Sequence, residues 1–103
     1  MNQRDAIHYI ATRQEFQASA LSGRFEQFTP QSGRLDPEEQ AIMARLSRFT
    51  LGGLYVVYSY RTPIAFYSLE GWYVVGQKFS QTTSKHQNLT RRAIAESLEG
   101  ASK

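Results

Sequence analysis

Residues 54–87 of this 103-residue chain, LYVVYSYRTPIAFYSLEGWYVVGQKFSQTTSKHQ, set β-branched and aromatic residues between short turn signals and end in hydroxyls, a lysine and a histidine. Side chains of that kind fit a pleated, half-buried surface, which constrains the chain to a fold built on a sheet. Residues 54–60 read as a first strand. Arg61-Thr62-Pro63 interrupts it, because proline cannot donate to the middle of a ladder. Residues 64–68 resume the pattern, and Leu69-Glu70-Gly71 turns again. Residues 72–75, continued by 77–80, then make a third strand with a bulge at Gly76. Connections this short join antiparallel neighbours, so the product is a meander.

Helices flank it. Ala6, Ile7, Ile10 and Ala11 share one side of residues 3–13, with Asp5 in the first turn, and predict an amphipathic helix. Leu35-Asp36-Pro37-Glu38-Glu39 is a second helix start: Asp36 can accept from open backbone donors, Pro37 has its φ preset, and Glu39 stands at the third position. Ile42, Leu46 and Phe49 carry that helix over residues 37–49, and Gly52-Gly53 can end it with positive φ. Between these helices, Phe16 to Phe28 reads as two short extended pieces with Ser22-Gly23 as the turn, followed by a loop from Thr29 to Gly33. Past Thr82-Thr83-Ser84, Ile94 and Leu98 set a last helix that Gly100 ends, with Thr83, Ser84 and Asn88 as candidate caps. The expected fold is α+β: a small antiparallel meander of three strands, or slightly more, packed with two or three helices. At this length one domain over residues 1–103 is expected, its motif-bearing part at about 54–87.

Composition narrows the function. With 41% hydrophobic and 13% aromatic residues the chain has enough apolar surface to fold. The lack of cysteine excludes a disulfide scaffold, a thiolate zinc site and a cysteine nucleophile. The opening MNQRDAIHYI holds no apolar run suited to a signal peptide, and no stretch is long enough to span a bilayer. The expectation is a soluble cytoplasmic protein with no membrane partner. The net charge of +3 is unevenly spread: residues 1–39 carry four basic and six acidic groups, whereas residues 40–95 carry seven basic groups against the single acid Glu70. Those bases are Arg45, Arg48, Arg61, Lys78, Lys85, Arg91 and Arg92. A segment of one sign attracts phosphate or acidic proteins, or is simply a solvated face.

Ser59-Tyr60-Arg61-Thr62-Pro63-Ile64-Ala65, followed by Phe79-Ser80-Gln81-Thr82-Thr83-Ser84-Lys85-His86, resembles a family of short uncharacterised proteins encoded by bacteriophages and by actinobacterial and related genomes. Those proteins carry an SYxTPIA turn, a tryptophan hairpin and then YSxTTSxH. The resemblance covers Tyr55 to Gln87, and Phe79 departs from it where many relatives have tyrosine. It implies no activity. It does imply provenance, namely a small accessory protein of a phage or prophage acting in a bacterial cytoplasm.

Thr82, Thr83, Ser84 and His86 stand where a strand feeds a helix. Hydroxyls and open amides there suit an anion, and Lys85, Arg91 and Arg92 add charge. Capping alone accounts for the same residue types, with His86 making one structural hydrogen bond. The turn at Arg61 is the other surface candidate. Catalysis is not expected: His8 and His86 are far apart in the chain, Asp5 and Asp36 serve helix starts, and metal-binding spacing is absent. Ser84 and His86, two residues apart on a turn, are poorly placed as nucleophile and base. Neither a cofactor nor a metal is expected, and the Asn88-Leu89-Thr90 sequon is incidental without a secretion signal.

Two functions remain. The first is a non-enzymatic accessory protein that binds a host or phage protein. The second is a nucleic-acid binder that uses the basic segment 40–95, where Tyr55, Tyr58, Tyr60, Tyr67, Trp72 and Tyr73 could stack bases. Convergence of the bases on one face beside exposed tyrosines favours nucleic acid; scatter favours a protein partner.

Overall fold

In the computed structural model, which describes residues 2–27, 33–48 and 53–101, the chain opens with Asn2, whose side-chain oxygen accepts the Asp5 amide at 2.9 Å. Helix α1, Gln3–Ala11, follows and buries Ala6, Ile7 and Ile10. It closes with Arg13 in the left-handed region, φ 53°, where the Arg13 and Gln14 amides donate to Ile10 and Tyr9 carbonyls. Glycine is the usual residue there. Arginine stands instead with its guanidinium 4.5 Å from the centre of the Tyr67 ring.

Strands β1 (Phe16–Ala18) and β2 (Leu21–Glu26) precede helix α2 (Pro37–Arg48). Strands β3 (Leu54–Ser59), β4 (Thr62–Ser68) and β5 (Gly71–Val74) then lead into helix α3 (Gln81–Ala101). All five strands form one antiparallel sheet in chain order, so the meander is longer than three strands because the two pieces before α2 join it. Phe16, Gly23, Val57, Ala65 and Val74 lie opposite one another in a single row across it. That face packs under α1 and α3, with Tyr55, Val57, Ile64, Ala65 and Leu21 in the core. The opposite face carries Leu54, Val56 and Phe66 against Met43 and Leu46 of α2. Both faces are therefore buried around β3 and β4, which explains why their residues are apolar throughout rather than alternating. The indole N–H of Trp72 has no hydrogen-bond partner among the described residues; the ring packs edge to face on Tyr55 and Tyr67.

Several expectations are corrected. Ser22-Gly23 is inside β2; the turn is Ser19-Ala20, with Ser19 at φ 45°. Gly23 is needed for close approach, since a Cβ there would collide with Phe16 Cε1 and the Tyr55 hydroxyl. The β3–β4 turn is Tyr60-Arg61, and Thr62-Pro63 already belongs to β4. Proline is tolerated because the ladder bulges beside it: Val57 faces Ala65 and Tyr58 faces Pro63, leaving Ile64 without a partner on β3.

Beyond Val74 the third expected strand stops, and Gly76 is no bulge. Gln87 Nε2 donates to the Val75 and Gln77 carbonyls at 2.8 and 3.1 Å, while the Gln77 side chain bonds the Asp36 amide and the Arg34 carbonyl. The Val75 amide still donates to the Ile64 carbonyl of β4 at 2.9 Å, and beyond it Gln87 of α3 takes the backbone instead of a strand. Glu39 accepts from the Tyr73 hydroxyl at 2.6 Å, a tertiary partner for the residue at the third position of α2; burial, together with this bond, pushes the phenol up to about 12. Helix α3 contains Gly100. The loop expected at Thr29 to Ser32, and the roles given to Phe49, Gly52 and the Leu98 side chain, lie outside the described residues.

Candidate binding site

The cap of α3 is Ser80, one turn before Thr83 and Ser84 and two before Asn88, the expected candidates. Its hydroxyl accepts the Thr83 amide at 3.3 Å, and its carbonyl accepts the Ser84 amide at 2.9 Å. Thr83 is thereby turned inward and buried. Its Oγ1 lies 3.2 Å from Ser80 Oγ and 3.0 Å from Ser59 Oγ, at the end of β3. Ser59 in turn lies 2.7 Å from His86 Nδ1. Four side chains thus form a hydroxyl–imidazole chain that ties the first turns of α3 to the sheet. The serine has one proton; directed at Thr83, it leaves Nδ1–H as the donor to Ser59 and Nε2 as the unprotonated edge. Burial pushes the imidazole below its ordinary value, so it is neutral near pH 7. The partner of His86 is therefore Ser59, from another element, and not Ser84.

Around this chain the surface is concave. Thr82, Lys85, His86 and Leu89 of α3, Ala6 and the Asn2-Gln3 start of α1, and Leu21 beside the β1–β2 turn enclose a cleft of about 270 Å³. Its floor is apolar and its rim polar. Tyr60 stands next to it, its ring centre 6.4 Å from that of His86. The Tyr60 amide donates to the Ala20 carbonyl at 2.6 Å, so the β1–β2 and β3–β4 turns lie side by side.

Tyr60 is the residue that sequence reasoning undervalued. It holds φ 59° at the first position of a two-residue turn and is 60% exposed. Glycine or asparagine is at home in that conformation, and a ring there costs roughly 1–2 kcal/mol. The signal was its place in Ser59-Tyr60-Arg61, a two-residue hairpin loop without a turn-forming residue.

Of the other expected site residues, Arg61 is exposed beside Tyr60, on the opposite wall from the cleft. Ser84 is half-buried. Arg91 donates to Asn88 Oδ1 at 3.0 Å, and Arg92 faces a separate groove against Arg4 and His8 of α1. The basic groups are dispersed rather than convergent. Arg45 pairs with Glu70 at 2.7 Å at the β4–β5 turn, the opposite end of the sheet from Arg61. Of the six rings, Tyr55 is fully buried with its hydroxyl donating to the Gln14 carbonyl, and burial, with Glu15, pushes that phenol up. Tyr58, Tyr67, Trp72 and Tyr73 are half-buried, which leaves Tyr60 as the exposed ring of the set. Among the described residues no three His, Asp or Glu side chains converge, and no helix is long and apolar enough to cross a membrane.

Residues 28–99 match the model of a family of unknown function, DUF8033. The chain belongs to that family. The match spans α2, β3, β4, β5 and nearly all of α3, so the α3 half of the cleft and Tyr60 fall inside the family domain, whereas α1, β1 and β2 precede it. No curated protein and no solved structure matches the chain.

Proposed function

We propose that this domain is a small non-enzymatic accessory protein that binds another protein through the cleft between the starts of α1 and α3, with Tyr60 as the anchor at its edge. The observation that carries the reading is Tyr60: an exposed ring held in a conformation that a smaller residue adopts at no cost. Tyrosine is a frequent anchor of protein interfaces, because its ring offers apolar area and its hydroxyl a hydrogen bond. The cleft beside it supplies the matching features, an apolar floor from Ala6, Leu21 and Leu89 and a cation on the rim from Lys85. The resemblance of the Ser59 to Ala65 and Phe79 to His86 segments to phage and actinobacterial proteins supports a host or phage protein as the partner and a bacterial cytoplasm as the setting. Dispersal of the basic groups weighs against the alternative, a nucleic-acid surface spread over residues 40–95.

The test is capture of partners from a bacterial host lysate by the tagged wild-type domain and by its Tyr60→Asn and Lys85→Glu variants. A polypeptide held by the wild type and lost by both variants supports the reading. Retention by both variants, or capture only of material removed by nuclease, would sink it.

A further inference from the structure

The opposite face of the sheet carries a second concavity, which meets the protein-binding surface at Tyr60. Helix α2 packs against β4, and the β1–β2–β3 end of its face holds a hollow of about 610 Å³, within the roughly 300–1,000 Å³ typical of small-molecule sites. Its floor is Ser22 and Tyr58, which face each other across β2 and β3, and its walls include Arg24, Glu26, Tyr60 and Arg61.

We infer that this hollow binds a nucleoside phosphate, free or within a single strand, with Arg24 and Arg61 on the phosphate and Tyr60 against the base. Two guanidinium groups reach the same hollow from different hairpins, and neither is in an ion pair among the described residues. Among the described residues Arg24 makes one long hydrogen bond, 3.5 Å, to Gln17 Oε1. The carboxylate on the wall, Glu26, accepts from the Tyr58 hydroxyl at 3.1 Å, so one of its oxygens is already engaged. The hollow is thus left with excess positive charge and two planar forks free to take phosphate oxygens in pairs. An apolar peptide finds little purchase here, since the lining is mostly polar. A base finds the exposed face of Tyr60, and stacking of that kind contributes about 1–3 kcal/mol.

Residue Arg24 lies outside residues 40–95, so the site differs from the broad basic surface first expected: it is small and local. Lys85, in the cleft on the helical side, serves as its control. Chemical shifts of the isotopically labelled full chain are followed during titration with inorganic phosphate, adenosine monophosphate and an eight-nucleotide single strand. Saturable shifts clustered at Ser22, Arg24, Tyr58 and Arg61 are expected, tighter for the nucleotide than for phosphate. Arg24→Glu and Arg61→Glu should each weaken binding at least tenfold, and Lys85→Glu should leave it unchanged. Equal affinity per site for mononucleotide and strand identifies the free nucleotide as the source; a gain with the strand that falls as salt rises identifies single-stranded nucleic acid. The inference is overturned by absence of shifts at millimolar ligand, by shifts spread over Arg45, Arg91 and Arg92 alike, or by unchanged affinity in a folded Arg24→Glu protein.

Discussion

Ser59 Oγ and His86 Nδ1 are 2.7 Å apart, although 27 positions separate them in the chain. Ser59 ends β3, and His86 lies in the second turn of α3, so this contact fixes where the last helix begins relative to the sheet. The His86 carbonyl accepts in turn from the buried Thr90 hydroxyl at 2.8 Å, which carries the ordering one turn further.

Removal of the shared serine tests that coupling. Ser59→Ala leaves the buried Thr83 hydroxyl with Ser80 alone and the imidazole N–H without its partner, at a cost of about 1–3 kcal/mol. Thr83→Val keeps the shape and removes the hydroxyl, so its cost alone should be similar. The double variant should lose less than the sum, by about 0.5–3 kcal/mol, because each change destroys the same bond. Urea unfolding of the four proteins measures this, and strict additivity would show that the two hydroxyls are not coupled.

Protonation of His86 gives stability a pH dependence of defined sign. Burial holds the folded imidazole below its ordinary value, so the native state favours the neutral ring. The unfolded chain then binds more protons once pH drops below about 6.5. The contribution is fully present above that pH and is lost as pH falls through the lower folded value. The urea midpoint of the wild type should therefore decline from pH 7 toward pH 5. His86→Gln should decline less over the same range; equal slopes in the two proteins would refute the assignment.

Tyr60 trades stability for surface. Tyr60→Asn relieves the left-handed strain, with an expected gain of about 1 kcal/mol. That corresponds to a rise of roughly 4–8 °C in melting temperature for a domain of this size. The same change should abolish retention of the protein partner. A calorimetric scan showing a lower melting temperature would mean that the ring is structural, held against His86 rather than displayed.

What could be read in advance follows from locality. The α1 stripe of Ala6, Ile7 and Ile10 and the Pro37 start of α2 depend on neighbours within a turn, and both helices appear where the residues place them. Ser22-Gly23 misled because a Ser-Gly pair has the same composition in a turn and in a strand; the Phe16 ring and the Tyr55 hydroxyl, 7 and 32 positions away, explain why glycine is needed there. Thr62-Pro63 misled likewise, since the bulge at Ile64 that accommodates proline arises from pairing with Val57 and Tyr58. In the candidate site, Thr82 to His86 was visible as a hydroxyl-rich segment before a helix. Its partner Ser59 was not, because one serine at the end of an apolar strand carries no local signal of what will pack above it.

Gly23 offers the sharpest test of the helical-face core. Phe16 and the Tyr55 hydroxyl close over it, and Tyr55 cannot swing aside without releasing the Gln14 carbonyl that it reaches at 2.7 Å. An added methyl therefore has to displace either a buried ring or a hydrogen bond, and Gly23→Ala should cost about 1–3 kcal/mol by overpacking. Tyr55→Phe alone should cost about 1 kcal/mol for the lost bond. Combined, the two should destabilise by less than their sum, because removal of the hydroxyl opens the space that the methyl needs. Denaturant midpoints of the three variants decide it: a double variant at or beyond the sum would mean that Phe16, and not the Tyr55 hydroxyl, sets the limit at this position.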